Sequence, residues 1–296
     1  MTRILVFGKN GQLATALAKT QFGAQTSPEF NLKFVGSSEF NLIKQVTDIY
    51  KYILTVKPID GVINASAYTD VDKAEIHGAE DAWVLNALAP EQMAKACKAL
   101  NIPFFHVSTE SVFAGVKSTS YKPNSAVSPA NFYGLTKLEG EHMVQAVNGI
   151  GAIFRTSWVF SNTGHNFVTA IRGVARKHKT IQVVADQMGL PTHASDLANA
   201  LLDAVRFTLA NPYKKFDPVY HIAGGGVPIS RFDFARLIVQ SAGLKTRVEP
   251  ITSSQFAAIA PRPKNAVLDT ESFTSTFGID MPDWQIGLKH MFSKTE

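Results

Sequence analysis

Short segments of apolar residues recur along the first half of the chain and alternate with segments whose apolar residues follow the spacing of a helix. Ile4–Phe7 is a continuous apolar run, which is typical of a strand buried on both faces of a parallel sheet. Four more strands are predicted in the first half, at Leu32–Val35, Gly61–Ala65, Pro103–Thr109 and Ala152–Phe154, and a short strand is predicted later, at Val219–Ala223. These five strand-helix units predict an α/β fold, a Rossmann-like doubly wound parallel sheet with right-handed crossovers.

Helices are predicted between these strands and over much of the second half of the chain. In the first half they lie at Leu42–Val56, in the segment that Pro90 opens at its first turn, and around Tyr133. In the second half they are Phe167–Lys177, His193–Leu209, Ser230–Ala242, Ser253–Ile259, Thr270–Phe277 and Asp283–Ser293. Ala114–Pro129, rich in Ser, Pro, Asn and Gly, is predicted to be a loop that borders the mouth of a site.

The regular strand-helix pattern ends near Trp158, which indicates two parts of unequal size. Residues 1–160, together with roughly 183–225, are predicted to form the Rossmann domain. Residues from roughly 161 to 182 and from 226 to 296 are predicted to form a smaller C-terminal substrate-binding lobe over the edge of the sheet. The three glycines at 224–226 are expected to make a turn.

Composition places the chain among globular proteins, since 45% of its 296 residues are hydrophobic and 18% are charged. The 29 Lys and Arg residues against 24 Asp and Glu residues give a formal net charge of +5, and only Arg172–Lys179 forms a basic cluster. Scattered positive charge suits anionic small molecules such as nucleotides. A nucleic acid would need a longer basic stripe with aromatic residues in it, so we expect no nucleic-acid partner.

Cysteine use and hydropathy indicate where the protein works. Cys97 is the only cysteine, so no intrachain disulfide can form and a reducing compartment fits. No apolar run nears the roughly 20 residues that a membrane span needs. The first predicted strand follows Met1 almost at once, which leaves no room for a signal peptide. We therefore expect a cytoplasmic protein without a membrane partner.

The first strand runs into a glycine loop of the kind that binds dinucleotides. Its spacing is G-x-x-G-x-x-A, formed by Gly8, Gly11 and Ala14, and a helical pattern follows. Gly8 permits the tight turn, and Gly11 lets main-chain N–H groups approach a pyrophosphate at the helix N-terminus. Ala14 allows the helix to pack closely on the strand. A purely structural turn is the alternative.

The end of the second strand bears on the choice of cofactor. An acidic residue at the strand tip would bond the ribose 2′-hydroxyl of NADH and repel the 2′-phosphate of NADPH. Ser37 and Ser38 do neither, and Glu39 follows a little late. NADPH, NADH or both remain open on this evidence, and the two serines favour NADPH.

Candidate catalytic residues lie in Asn131–Lys137. Tyr133 and Lys137 are four residues apart, so a helix places them on one face. A nearby ammonium favours the phenolate, so Lys137 is expected to lower the pKa of Tyr133 and make it a proton donor for carbonyl reduction. The alternative is an exposed pair on an ordinary amphipathic helix. Ser108 and Thr109 on the strand upstream, together with the glycine loop, favour the catalytic interpretation.

Small residues end the third strand, and a histidine lies within the fourth. Ala65, Ser66 and Ala67 leave space for a ligand at the carboxyl end of a parallel strand. His106 is expected to be a core histidine with its hydrogen bonds satisfied. No group of His, Cys, Asp and Glu residues has the spacing of metal ligands, so we expect no metal site.

These motifs, taken in order, resemble those of the extended short-chain dehydrogenase/reductases. The matching segments are Gly8–Gly11, Asn64–Glu75, Ser108–Thr109, Tyr133–Lys137, Phe154–Phe160, Gly189–Thr192, Asp196–Ala198, Arg262–Pro263 and Pro282–Trp284, which extend over nearly the whole chain. Within that family the chain looks most similar to the dTDP-4-dehydrorhamnose reductases. The resemblance implies an NAD(P)-binding Rossmann domain and NAD(P)H-dependent reduction of the 4-keto group of dTDP-4-dehydro-β-L-rhamnose to dTDP-L-rhamnose.

The resemblance also implies roles for individual residues. Tyr133 would be the proton donor, Lys137 would bond the nicotinamide ribose, and Thr109 would hydrogen-bond the substrate carbonyl. The candidate cofactor-binding residues are Gly8, Asn10, Gly11, Gln12, Leu13, Ser37, Ser38, Ala65, Ser66, Ala67, Tyr68 and Lys137. The candidates for the sugar nucleotide are Thr69, Val71, Trp158, Asn166, Gln187 and Arg262, with core packing as the alternative for Trp158.

A few positions depart from the pattern of that family. Glu110 and Ser111 stand where the family usually has Asp and Tyr, so a phenol of the sugar pocket is missing. Ala16 and Ser195 stand where some members hold Mg²⁺ between two subunits through carboxylates. A metal-bridged dimer is therefore not implied, although a homodimer is expected.

Two other functions stay open at this point. One is a reductase or epimerase of another nucleotide-linked 4-keto sugar, which Glu110 and Ser111 motivate. The other is a non-catalytic regulatory subunit like that of methionine adenosyltransferase, which resembles this family and acts by binding a partner. The presence of Thr109, Tyr133 and Lys137 argues against the regulatory role.

Overall fold

The computed structural model describes residues 1–23 and 29–293, and the strands in these ranges build one large sheet and three small ones. The strands are β1 (Thr2–Phe7), β2 (Phe30–Val35), β3 (Gly61–Asn64), β4 (Phe104–Thr109), β5 (Gly151–Thr156), β6 (Val159–Phe160), β7 (Thr180–Val184), β8 (Met188–Gly189), β9 (Thr192–His193), β10 (Val219–His221), β11 (Ile229–Ser230), β12 (Arg247–Ile251) and β13 (Asn265–Ala266).

The α-helices alternate with the strands in the first half and dominate the second. They are α1 (Gln12–Gly23), α2 (Ile49–Thr55), α3 (Val71–Ala74), α4 (Ala79–Trp83), α5 (Ala89–Leu100), α6 (Phe132–Val147), α7 (Phe167–Ala175), α8 (Ala194–Ala210), α9 (Arg231–Ser241), α10 (Ser253–Phe256), α11 (Glu271–Phe277) and α12 (Trp284–Phe292). Within the described ranges, every helix is too short or too polar to cross a lipid bilayer.

The large sheet has the strand order β2-β1-β3-β4-β5-β10, and all of its pairings are parallel. The side chains of Ile4–Phe7 are fully buried, because helices cover both faces of β1. Helices α1, α8 and α11 pack on one face of the sheet, and α2, α5 and α6 pack on the other. The predicted Rossmann-like fold is confirmed. The strand order reverses between β1 and β3, the place where open α/β sheets bind ligands.

A second hydrophobic core lies beyond the carboxyl edge of the large sheet. It is built around Phe160, Phe234 and Trp284, whose rings meet edge to face, and it is surrounded by α7, α9 and α12. The three small sheets, β11-β8-β13, β12-β7 and β6-β9, belong to this region. Strand β7 at Thr180–Val184 straddles one of the expected domain limits, and the domain ranges themselves stay a prediction.

One helix start differs clearly from the sequence prediction. The helix expected from Leu42 begins at Ile49, because the side chain of Asn41 accepts from the N–H groups of Ile43 and Lys44 and holds a turn there. Pro90 lies in the first turn of α5, as predicted, and α5 continues directly from α4 through a π-helical turn at Val84–Leu88. A proline lacks the N–H that a regular helix interior would need, and the widened turn precedes it. The other helix ends moved by a few residues at most.

Candidate active site

A cavity of about 1390 Å³ runs along the carboxyl ends of β1, β3, β4 and β5, between the large sheet and the second core. It brings together nearly all of the candidate residues. Those that line it are Gly8, Asn10, Gly11, Gln12, Leu13, Ser37, Ala65, Ser66, Ala67, Thr69, Val71, Thr109, Tyr133, Lys137, Trp158, Asn166, Gln187 and Arg262. Ser38 and Tyr68 are not in its wall. The phenol oxygen of Tyr68 packs against Gly78, away from the cavity.

The glycine loop forms one end of the cavity. Gly8 has a φ of +97°, and a Cβ atom there would lie 2.7 Å from the carbonyl carbon of Ala65, so no other residue fits without a shift of the backbone. The N–H of Gly11 donates to the carbonyl of Gly8 over 2.8 Å, which closes the turn just before α1. The N-terminus of α1 therefore faces the cavity, as a phosphate-binding site requires.

Gln12 connects the glycine loop with the second core region. Its Oε1 atom accepts from the Ser161 hydroxyl over 2.7 Å and from Nδ2 of Asn166 over 2.9 Å. Asn166 is also the N-cap of α7, where its Oδ1 atom accepts from the N–H of Thr169. The carboxamides of Gln12 and Asn166 are thus engaged with each other at the cavity wall.

The loop after β2 is organised around Glu39. Its carboxylate accepts from Lys9 Nζ, from the Ser38 hydroxyl and from the N–H of Gly36. The ion pair with Lys9 contributes most to lowering the pKa of Glu39 to about 2. Glu39 is therefore committed to its own loop, and Ser37 is the residue of this turn that faces the cavity.

Lys137 lies under the site, on the inner face of α6. Its side chain is buried, and Nζ donates to the carbonyl of Val107 over 2.7 Å and lies 3.3 Å from Nε2 of His106. Burial lowers the pKa of Lys137 to about 8. His106 is the core histidine that its position in the strand predicted, since its Nδ1 atom meets Nδ2 of Asn64 at 3.1 Å. It also helps to fix the position of the Lys137 ammonium.

Tyr133 lies in the first turn of α6, whose N-cap is Asn131. Burial in the cavity wall raises the pKa of Tyr133 above its usual range, the charge of Glu110 raises it further, and a hydrogen bond with Thr109 works in the opposite direction. The expectation that Lys137 lowers this pKa is therefore wrong. The ammonium binds the carbonyl of Val107, and desolvation of the phenol dominates.

Thr109 ends β4 beside Tyr133. Its hydroxyl donates to Oε2 of Glu110 over 2.8 Å and accepts from the N–H of Ser111 over 3.1 Å. Burial raises the pKa of the Glu110 carboxyl, and the Thr109 hydroxyl and the positive charge of Arg231 counteract this effect. Thr109 is thus held in a fixed orientation by its two neighbours in sequence.

Arg231 was not among the residues selected from the sequence, yet it lines the cavity next to Trp158. Its guanidinium carbon lies 3.6 Å from the centroid of the Trp158 ring and 4.7 Å from that of Phe167. Trp158 has a φ of 46°, a strained backbone conformation for a large residue, and its indole also packs tightly against Gly189. Ser230 caps α9 and so places Arg231 at a helix start, but no local pattern brings that start to Trp158.

The loop between β12 and β13 closes the other side of the cavity. Arg262 makes a two-pronged contact with Asp72, in which Nη1 and Nη2 donate to the two carboxylate oxygens over 2.9 and 2.8 Å. The N–H of Ala260 donates to the same carboxylate over 2.9 Å. Gln187 reaches this loop through its Nε2 atom, which donates to the Ser253 hydroxyl.

The arrangement provides two chemically different ends. The glycine loop and the N-terminus of α1 can hold the phosphates of a dinucleotide, and the tight cradle at Gly8 fits such a group. At the other end, the hydroxyls of Tyr133 and Thr109 can donate hydrogen bonds to the carbonyl oxygen of a substrate. Among the residues described, no three His, Cys, Asp or Glu side chains come together in a way that could hold a metal ion.

Comparison with known proteins gives consistent matches. The family described as the RmlD substrate binding domain matches residues 1–296. The chain is 34% identical to a dTDP-4-dehydrorhamnose reductase of Sinorhizobium fredii over 96% of this chain and 94% of the relative. It is 37% identical to a protein of the same name from Burkholderia thailandensis, with 96% and 95% of the two chains covered.

Solved structures agree with this match. A dTDP-4-dehydrorhamnose reductase from Clostridium acetobutylicum superimposes with a TM-score of 0.88 at 31% identity over 98% of each chain. A protein of that name from Bacillus anthracis, solved in complex with NADP, has a TM-score of 0.87 at 29% identity, and both chains are fully covered.

Proposed function

The chain belongs to the RmlD substrate binding domain family and, within it, to the dTDP-4-dehydrorhamnose reductases, and from this premise we propose a reaction for its cavity. The protein is an NADPH-dependent oxidoreductase that reduces the 4-keto group of dTDP-4-dehydro-β-L-rhamnose and forms dTDP-L-rhamnose. The observation that carries this proposal is the contact of Tyr133 with Thr109 in a cavity whose far end is the glycine loop before α1.

Tyr133 acts as the acid. Reduction builds negative charge on the carbonyl oxygen, and NADPH, when bound, supplies the hydride that arrives at carbon. The raised pKa of Tyr133 keeps the phenol protonated at neutral pH, so a proton is always present to be donated. Transfer is favourable because an alkoxide is a much stronger base than a phenolate. Thr109 lies beside the same oxygen, and its hydroxyl, which donates to Glu110 here, would turn from the carboxylate to donate to the substrate oxygen.

The glycine loop and Lys137 would hold the cofactor between them. Lys137 is mostly protonated at neutral pH, and its position under the site suits a hydrogen bond to the nicotinamide ribose. The other residues that we assign to the cofactor are Gly8, Asn10, Gly11, Gln12, Leu13, Ser37, Ser38, Ala65, Ser66, Ala67 and Tyr68. Ser37, which lines the cavity beside the Lys9–Glu39 pair, would lie near the adenosine ribose.

The sugar nucleotide takes the remaining part of the cavity. We assign to it Thr69, Val71, Trp158, Asn166, Gln187 and Arg262, all of which line the wall. Residues 1–160 with roughly 183–225 would bind the cofactor, and residues from roughly 161 to 182 and 226 to 296 would bind the sugar nucleotide. We further propose a cytoplasmic enzyme that works without a nucleic-acid or membrane partner and forms a homodimer.

The direct test is the loss of NADPH absorbance when the purified protein is given dTDP-4-dehydro-β-L-rhamnose, with the product identified by mass and by its proton spectrum. Formation of dTDP-L-rhamnose supports the proposal. No turnover by protein that still binds NADPH would contradict it and would favour another nucleotide-linked keto sugar, for which Glu110 and Ser111 would be the first residues to examine.

A further inference from the structure

Arg231 is a cation in the cavity wall that has no partner for its hydrogen bonds. Across residues 1–23 and 29–293, its guanidinium makes no hydrogen bond, and no carboxylate oxygen lies within 4.0 Å of it. The contrast with the neighbouring arginines is clear, because Arg155 is bonded to Glu141 and Arg262 to Asp72. A partly buried guanidinium whose N–H donors the protein leaves unused is available to donate to acceptors on a ligand.

The aromatic neighbours of Arg231 determine which part of it remains available. The rings of Trp158 and Phe167 lie against the guanidinium at 3.6 and 4.7 Å from its central carbon. The N–H groups of a guanidinium lie in its plane, so stacking on rings leaves them free to donate sideways. The Trp158 indole is itself covered by this guanidinium and by Gly189. The groups available to a ligand here are therefore the N–H donors of Arg231, since the ring face of Trp158 is covered.

The charge of Glu110 indicates which part of a sugar nucleotide belongs here. Glu110 and Arg231 both line the cavity, and Glu110 is bonded to Thr109 at the reacting end of it. A carboxylate beside the arginine repels a diphosphate. A sugar hydroxyl, by contrast, can accept from Arg231 and donate to Glu110 at the same time.

We propose that Arg231 donates hydrogen bonds to the oxygen atoms of the sugar ring of the sugar nucleotide, and that it orients the ring with respect to Tyr133 and Thr109. This inference rests on the proposed function, since it concerns the substrate of the same cavity. It makes Arg231 a binding residue for the sugar, and it adds to the place of Trp158 in the cavity wall the task of holding the guanidinium flat.

The test compares binding of dTDP-L-rhamnose and of dTDP by titration calorimetry to the unaltered protein and to variants at Arg231. In Arg231→Met, the Kd for dTDP-L-rhamnose is expected to rise about 10- to 100-fold, while the Kd for dTDP changes less than about threefold. Arg231→Lys keeps the charge but loses the planar guanidinium. Its Kd for dTDP-L-rhamnose is expected to lie between those of the unaltered protein and of Arg231→Met. Arg236→Met is the matched control, because Arg236 lies on the same helix and is exposed.

Several results would overturn the proposal. Equal weakening of dTDP and dTDP-L-rhamnose would place the contact at the diphosphate, and unchanged binding of both would remove the contact altogether. The proposal would also be overturned if the unaltered protein bound dTDP-L-rhamnose no more tightly than dTDP, because the sugar would then contribute nothing to affinity. Binding of NADPH and the melting temperature show whether each variant is folded, and if Arg231→Met is not, Arg231→Lys decides alone. Turnover by the unaltered protein tests the proposed function separately.

Discussion

Lys137 donates a hydrogen bond from its Nζ atom to the main-chain carbonyl of Val107, over 2.7 Å, in the interior of the sheet edge. A main-chain carbonyl of β4 thus holds the ammonium of Lys137, and the same helix, α6, carries Tyr133 one turn earlier. A buried cation in this position is unfavourable for the folded state at neutral pH, even though the proposed reaction needs it.

Replacement of Lys137 by Met should change how stability depends on pH. The pKa of Lys137 is about 8 in the folded protein against an ordinary value of 10.5. Between these two values the unfolded chain binds more protons, so this group lowers stability as pH falls from 10.5 to 8, by roughly 3 kcal/mol in total. We expect Lys137→Met to gain stability relative to the unaltered protein over this range, measured from urea midpoints at several pH values. A difference that does not vary with pH would contradict the burial of the charge.

Replacement of Tyr133 by Phe should remove the acid and little else. We expect kcat to fall about 10²- to 10⁴-fold, because no other phenol lies beside Thr109 among the described residues, while the Kd for NADPH changes less than about twofold. Steady-state rates and a fluorescence titration with NADPH measure the two effects. Tyr213→Phe is the control, since Tyr213 is fully exposed. Normal turnover by Tyr133→Phe would exclude Tyr133 as the proton donor.

Replacement of Glu141 by Gln should destabilise the fold strongly. Glu141 and Arg155 are almost completely buried, and two guanidinium nitrogens donate to the carboxylate. Loss of one partner leaves a buried charge uncompensated, which costs about 3–5 kcal/mol in the free energy of unfolding. Urea unfolding measures the change. Glu29→Gln, which breaks an exposed pair with Arg206, should cost about 1 kcal/mol or less. Similar losses in both variants would refute the argument from burial.

Replacement of Glu39 by Gln should shift cofactor preference towards NADPH. The change removes a carboxylate that would repel a 2′-phosphate and frees Lys9 from its ion pair. We expect the ratio of kcat/KM for NADPH to that for NADH to rise about threefold to tenfold, and more at low ionic strength. The exposed Glu271→Gln serves as the control. An unchanged ratio would show that this loop does not contact the adenosine ribose.

Replacement of Asp72 by Asn should loosen the loop that carries Arg262. Asp72 binds both Nη atoms of Arg262 and the N–H of Ala260, so it joins the segment after β3 to the segment before β13. We expect KM for the sugar nucleotide to rise about threefold to tenfold with little change in kcat, and proteolysis between residues 253 and 263 to become faster. A loop that is cleaved no faster in the variant would show that other contacts hold it.

The parts of the fold that depend on neighbouring residues could be predicted from the sequence. Ile4–Phe7 is apolar at every position because both faces of the strand are covered, and Gly8 follows because the turn against Ala65 has no space for a Cβ atom. The start of α2 could not be predicted in this way. There the side chain of Asn41 competes with helical hydrogen bonds, a choice that depends on how the segment packs.

In the site too, features set by residues close in sequence could be predicted, and features set by packing could not. The spacing of Tyr133 and Lys137 placed both residues on the wall of one cavity, as predicted. The direction of the Tyr133 pKa shift was wrong, because it depends on burial and on Glu110, and neither is visible in the spacing. Arg231 was missed because it lies more than 70 positions from Trp158 in sequence and meets it only through the packing of α9.

The shared hydrogen bonds of Gln12 have a thermodynamic consequence. The same carboxamide belongs to the start of α1, where the cofactor is expected to bind, and contacts the cap of α7, where we propose that the sugar nucleotide binds. We expect each ligand to change the affinity of the other, and the factor must be equal whichever ligand binds first. Gln12→Ala would then reduce cooperativity between the two ligands by more than it reduces either affinity alone.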